Sequence, residues 1–547
     1  TEPRSIILAV TTMVDSIYCS IILSYLCTLL PLSNALFTSP FLTCRNKYHC
    51  HGDSKLPSLR AGKDSVDVIN ANDDNDDEHH PHHRELEEWL SSRDVNCDNC
   101  KVSVFPGGLR GLASTRRAST GTVLLKVPLK SCLLTCDFDH SIFEGAAPSW
   151  SMGLPNKVQL ALQVLHHHQG NNNDEESLLD SSSYRPFLNS WPNSISSIPS
   201  FPENIPREEL VREAQSDVLV EEIDKHKSWV SDQFEAVKKA APPTFIFSSP
   251  SFSLEKFTRA LQLAGSRSIS IQLPSSSSSS SSGKGSVLVP LFDMANHHPN
   301  PTATYRLVSG SDDNNNNDDD DDNEGGESIE LVARKDISEG EEITISYGAY
   351  PNSIMAKCYG FVPTNNPYDF ERVSMRGILQ AAMDAGALLE TTDLSKVENL
   401  VAALGFDTTN NSRILATGPE ESLWMSLRAA LVTNDDEYEE LLEVLEAIEM
   451  DEADDEDLWE MDNDADIVRR AKIAHAAFTA LEHGISAKST LEEDEEILLR
   501  NDTTALSCGS RLLVELRSER KRLLRSASWR MAAVMGRPRE AREILSL

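Results

Sequence analysis

Three short stretches carry most of the side chains in this chain that could do chemistry together. They are Val289-Pro-Leu-Phe-Asp-Met-Ala-Asn296-His297, Ile343-Thr-Ile-Ser-Tyr347-Gly348 and Cys358-Tyr359-Gly-Phe-Val-Pro363. Together they offer a carboxylate at Asp293, an amide, an imidazole and two phenols. A phenolic oxygen can orient a reacting group through a hydrogen bond. No nucleophilic triad or phosphate-cradling glycine loop competes with that chemistry. Each stretch alone arises by chance in long chains, and an isolated tyrosine is by default a core aromatic with a satisfied hydroxyl. Their joint order is what is specific.

In that order the three stretches resemble the SET-domain methyltransferases of the branch typified by the Rubisco large-subunit lysine methyltransferase, which carry Asp-x-x-Asn-His, Ser-Tyr-Gly and Tyr-Gly-Phe boxes. Upstream, Gly107-Gly-Leu-Arg-Gly-Leu-Ala113 precedes Gly121-Thr-Val-Leu-Leu-Lys-Val-Pro128, and Ser266-Arg267-Ser-Ile269 is similar to the family's Ser-Arg element. The family usually shows Gly-x-Gly-Leu at its first box. Here Leu109 takes the place of the earlier glycine and Gly108 sits one residue upstream, which implies a reshaped cofactor loop.

The resemblance implies S-adenosylmethionine as cofactor and a protein substrate, a basic segment bearing a lysine, outside the histones. Lysine, with a pKa of about 10.4, must shed its proton before its nitrogen can attack in line. Tyr347 and Tyr359 match the family's catalytic tyrosines. Asn296 and His297 match the box that holds the cofactor, and Leu109, Arg110 and Gly111 match the backbone loop around it. Asp293 and Arg267 match positions on the substrate or cofactor side, where the planar guanidinium of Arg267 could pair with the cofactor carboxylate. Phe361 would wall the substrate channel beside Tyr347 and Tyr359. His297 is not implied to be a general base, and no metal is implied. Two other readings stay open: a histidine methyltransferase of the kind that acts on actin, and a SET-fold shell that holds a partner without turnover.

Composition narrows the partners. Of 547 residues 39% are hydrophobic and 25% charged, and the formal net charge is -36, so two or more globular parts with tails are expected and nucleic acid is not. Much of that charge is local, in residues 312–324 and 435–466. Such runs are ordinarily solvated. Ten cysteines are scattered without a regular framework. Cys97-x-x-Cys100 lacks the second pair that a zinc site needs, and His79-His-Pro-His-His83 reads as low-complexity linker.

These residues need a scaffold, and the pattern suggests one. Residues 17–32 are apolar and end near Pro31, with Ser33-Asn-Ala35 as a small-x-small site, so residues 1–35 are expected to be a signal-peptide-like segment rather than a membrane anchor, with Met13 as a credible initiator. The basic, acid-poor stretch behind it, within a linker over 36–84, suggests plastid delivery, with the secretory pathway or cytoplasm as alternatives. A SET domain is expected over 85–370, with a helical insert at about 130–265 and low-complexity insertions near 171–183, 275–284 and 311–326. Residues 371–547 carry apolar residues at helical spacing and suit a helical substrate-binding domain, with Arg511 to Leu524 as a basic surface helix of the bundle. The expected class is α+β: a β-clip core of small antiparallel sheets with a helical insert, then an all-α domain. A monomer without stable membrane insertion is expected.

Overall fold

The computed structural model describes residues 81–106, 109–135, 154–169, 184–191, 201–241, 252–272, 284–308, 327–390, 392–403, 412–432, 437, 463–500 and 506–545. The signal-like segment, most of the linker, Gly107 and Gly108, and nearly all of the three low-complexity insertions lie outside the described residues. Contacts divide the chain after Ser92. In the first unit the Pro81–Ser92 helix buries Leu86, Trp89 and Leu90, apolar residues at spacings of three and four.

From Arg93 onward the fold is α+β. The strands are β1 (Cys100–Phe105), β2 (Leu109–Ser114), β3 (Val123–Pro128), β4 (Leu133–Leu134), β5 (Ile269–Gln272), β6 (Lys284–Leu288), β7 (Asn296–His297), β8 (Ala303–Val308), β9 (Ser328–Ala333), β10 (Glu342–Ile345), β11 (Phe370–Val373), β12 (Ser412–Leu415) and β13 (Gly418–Pro419). Among the described residues they form small sheets in the orders β1-β2-β10-β7, β3-β9-β8, β4-β6-β5 and β11-β12-β13.

β9 is covered on both edges, and every one of its residues is buried. That leaves Glu330 buried in mid-strand, where the register sets it opposite both Lys126 and Arg306. Arg306 Nη2 reaches its carboxylate at 2.8 Å and Lys126 Nζ at 3.5 Å. Cross-strand pairing therefore offsets the desolvation of that charge.

Strand β2 departs from the expected cofactor loop. Leu109 to Ser114 pairs with β1 along its whole length and with β10 at Leu112 and Ala113. Its small residues have little strand preference of their own, and pairing on both edges decides the conformation.

In the insert, the Asn156–Gln169 helix packs on the Leu254–Arg267 helix. Ser253 caps the latter by accepting from the Lys256 N–H, and Phe257 joins Phe234 and Phe252 beneath it. This helix ends at Arg267, which places that guanidinium at the site.

The C-terminal region is helical around a core of Trp424, Phe478, Leu524 and Met531, joined by the small sheet β11-β12-β13 that apolar periodicity did not reveal. The expected basic surface helix is instead a central one, Cys508–Gly536. Arg517 and Lys521 are buried in it, and both bind the buried Asp494, Arg517 Nη2 at 2.7 Å and Lys521 Nζ at 2.5 Å. The same helix packs Leu512, Leu513 and Leu516 into a cluster with Ile205 and Leu210 of the insert and Ala356 beside the site. Acidic partners from distant segments let a basic helix go inside. Among the described residues no helix is long and apolar enough to cross a membrane.

Candidate active site

The site forms where a strained turn meets a parallel strand pair. Leu291 takes φ +63, a conformation costly for a residue with a side chain, and leads into the 3-10 turn Phe292–Met294. The chain then enters β7, where Asn296 lies opposite Thr344 and His297 opposite Ile345 of β10. Thr302 and Thr344 clasp this junction: each backbone N–H donates to the other's hydroxyl, at 3.1 and 2.8 Å. Tyr347 leaves β10 beside His297.

Asn296 ties three strands together. Its Nδ2 donates to the Arg110 carbonyl at 3.1 Å and to Glu342 Oε1 at 2.7 Å. Gly111 makes this possible, because a Cβ there would stand 2.6 Å from Asn296 Nδ2 and 3.0 Å from Glu342 Oε1. The Leu109 side chain is exposed. Arg110 Nη2 donates to the Ser190 carbonyl at 2.5 Å. Burial holds the Arg110 guanidinium below its ordinary pKa, nearby Arg267 adds to this, and Asp293 opposes it.

Arg267 and Asp293 form a buried pair. Nη1 of Arg267 donates to Asp293 Oδ2 at 2.9 Å and to the Asp293 carbonyl at 3.1 Å, and its guanidinium lies 5.4 Å over the Trp191 ring. The Asp293 side chain is 0% exposed. Burial raises its pKa despite Arg267, and the Trp191 indole N–H helps hold the carboxylate from outside full hydrogen-bond geometry. Arg267 thus already holds one carboxylate, while its buried Nε has no acceptor among the described residues.

The phenols gather on the other side. Tyr347 donates its hydroxyl to the Ala295 carbonyl at 3.0 Å, and burial pushes its pKa up to about 12 against the pull of Arg267. Its ring lies 4.8 Å from that of Tyr359 with a 33° tilt. Tyr359 ends the Asn352–Tyr359 helix, which Gly360 terminates at φ +75 while donating to the Met355 and Ala356 carbonyls. The Tyr359 hydroxyl is held well above its ordinary pKa by burial and then by Tyr350, Cys358, Tyr347 and Tyr305. Phe361 stands 6.3 Å from Tyr347 and 6.1 Å from His297. His297 Nδ1 accepts the Tyr347 N–H at 3.1 Å, and burial, with His298, lowers its pKa to about 4.

The sequence model of the SET domain family matches residues 109–348. Those residues are a SET domain. The fold is similar to the solved SET domain of LSMT bound to lysine and AdoHcy, at 17% identity and TM-score 0.56 over 85% of this chain and 93% of that one. It is also similar to Rubisco LSMT bound to AdoMet, at 16% identity and TM-score 0.53 over 85% and 93%. No curated protein sequence matches the chain.

Within this SET domain Asn296 brings Arg110 and Gly111 to β7, while Arg267 meets Asp293 and reaches Arg110 and Tyr347 electrostatically. Tyr347, Tyr359, Phe361 and His297 form one aromatic group. Four neighbours escaped the sequence reading: Trp191 beside Asp293, Glu342 on Asn296, Tyr305 with its ring 5.3 Å from Phe292, and Tyr350 with its ring 6.4 Å from Tyr359. The available signal was proximity: Glu342 opens the strand that leads to Tyr347, and Tyr350 follows the Ser-Tyr-Gly box.

Proposed function

We propose that this chain is an S-adenosylmethionine-dependent protein-lysine N-methyltransferase acting on a non-histone protein. The observation that carries it is the meeting of two groups: the Arg110–Gly111, Asn296–His297 and Arg267 set, and the Tyr347–Tyr359–Phe361 wall. The SET-domain match supports it, and so do the similar solved structures, whose ligands are lysine and S-adenosylhomocysteine in one and S-adenosylmethionine in another.

The residues fit such a cofactor. The Arg267 guanidinium is close enough to disfavour that of Arg110, and Asp293 supplies one compensating charge. A carboxylate on the ligand would supply a second, with the uncommitted Nε of Arg267 as donor. Gly111 keeps the strand backbone free of a side chain where Asn296 and Glu342 crowd it. Bound there, S-adenosylmethionine would supply an electrophilic methyl on a sulfonium.

The chain's own residues then set the acceptor's protonation and aim. Phenols and Phe361 around an amine disfavour its ammonium form by desolvation. Tyr347 stays neutral, because burial holds its pKa near 12, and its proton is committed to Ala295, which leaves an oxygen lone pair to accept from an amine N–H. His297 takes no proton in this scheme. Its Nδ1 is occupied as acceptor, so the neutral ring carries its proton on Nε2 and has no lone pair left for a base.

The test incubates the protein with methyl-labelled S-adenosylmethionine and a whole-cell protein extract, beside Tyr347→Phe, and locates label by mass spectrometry. Lysine label that falls roughly a hundredfold in the variant is expected. Label on histidine, or none while the cofactor binds, would overturn the lysine reading.

A further inference from the structure

We propose that Tyr350 is a positioning residue for the acceptor side of the site, setting the Tyr359 ring in place against Tyr347; this rests on the methyl-transfer reading above. Tyr359 has two tyrosine rings beside it, at nearly the same tilt. Tyr347 lies 4.8 Å away at 33°, and Tyr350 lies 6.4 Å away at 32°. Tyr359 reaches the site from the end of a short helix, and the Tyr350 ring braces it there.

Tyr350 is itself fixed at both ends. Its ring lies on the backbone of Gly348, the residue that follows Tyr347: an ideal Cβ on Gly348 would stand 2.4 Å from Tyr350 Cε2 and 2.9 Å from its Cδ2 and Cζ. Gly348 has φ +134, so both its conformation and its surroundings require glycine. At the other end, Asn366 Nδ2 donates to the Tyr350 carbonyl at 2.8 Å and to Asn352 Oδ1 at 3.0 Å, spending both amide hydrogens. The Asn352 N–H donates to Asp369 Oδ1 at 2.8 Å. Asn352 and Asn366 are both buried, and Asn352 opens the helix that ends in Tyr359. The loop that places Tyr350 and the helix that places Tyr359 therefore share one anchor. Removing the Tyr350 ring leaves that backbone anchor intact and opens space beside Tyr359 and over Gly348.

The experiment compares Tyr350→Ala and Tyr350→Phe in the full chain. It reads kcat and KM for the labelled substrate, S-adenosylmethionine affinity by calorimetry, and the fluorine NMR resonance of fluorotyrosine placed at position 359. Tyr350→Ala is expected to lower kcat by roughly tenfold or more through misplaced reacting groups, with cofactor affinity unchanged and the fluorine resonance shifted. Tyr350→Phe, which keeps the ring, should restore kcat and the resonance. An unmoved resonance, an unchanged kcat in Tyr350→Ala, or a loss of cofactor affinity as large as the loss in kcat would overturn the proposal. The resonance reports on ring placement even if wild-type protein transfers no methyl, so failure of the methyl-transfer reading is seen separately.

Discussion

The backbone N–H of Tyr347 donates to Nδ1 of His297 at 3.1 Å, and the two rings stand 5.3 Å apart. One bond thus fixes the start of the Ser-Tyr-Gly turn and the tautomer of the histidine. Protonating His297 would put a hydrogen where that bond needs a lone pair, which agrees with its lowered pKa of about 4.

The first prediction concerns pH. His297 is held at about 4 against an ordinary 6.5, so between those values the unfolded chain binds more protons than the native one. Its contribution to stability is present above pH 6.5 and lost as pH falls toward 4. Asp369 has the opposite sign, since burial raises it from 3.8 to about 6 and its contribution is lost as pH rises through 6. Melting temperatures measured across this window should show a shallower acid-side loss in His297→Gln and a steeper one in Asp369→Asn. His167, half-buried and also lowered to about 4, stays in both variants and cancels in the comparison. Profiles parallel to wild type in both would contradict these assignments.

The second concerns Gly111. Alanine there places its Cβ 2.6 Å from Asn296 Nδ2, which forces that amide off the Arg110 carbonyl and Glu342. Gly111→Ala should cost about 1–3 kcal/mol in urea unfolding. Calorimetry should also show S-adenosylmethionine binding weakened by roughly tenfold or more, as expected when a positioned contact is displaced. Unaltered binding would place the cofactor away from β2.

The third concerns the charges inside the C-terminal region. Burial pushes the Asp494 carboxyl up, but hydrogen bonds from Arg517 and Lys521 prevail and hold it below the ordinary range. Removing the acid leaves the buried Lys521 without a charged partner and Arg517 with Glu213 alone, so Asp494→Ala should cost about 3–5 kcal/mol. Combining it with Lys521→Met should recover part of that loss, because one stranded charge goes with it. A cycle in which the two losses simply add would show that the pair is not coupled.

Much of this was readable before any coordinates. Asp293, Asn296, His297, Tyr347, Tyr359 and Phe361 lie in short boxes whose identity and order survive without knowledge of packing. Helices such as Leu254–Arg267 and Asp464–Ile485 showed in their apolar spacing. Strand β2 did not, because Leu-Arg-Gly-Leu-Ala-Ser has neither alternation nor β-branched residues and is held by neighbours on both edges.

The sequence by itself determined which chemistry was on offer and the local elements that carry it, since box order, apolar period and caps are properties of neighbouring residues. Tertiary structure alone decided that Asn296 reaches the Arg110 carbonyl across 186 positions. It also decided that Asp293 is sealed onto Arg267, that Tyr350 braces Tyr359, and that a basic helix lies buried on Asp494. Such pairings depend on which distant segments meet. A one-dimensional pattern records what a side chain can bind, and only the fold supplies the partner that makes its burial favourable.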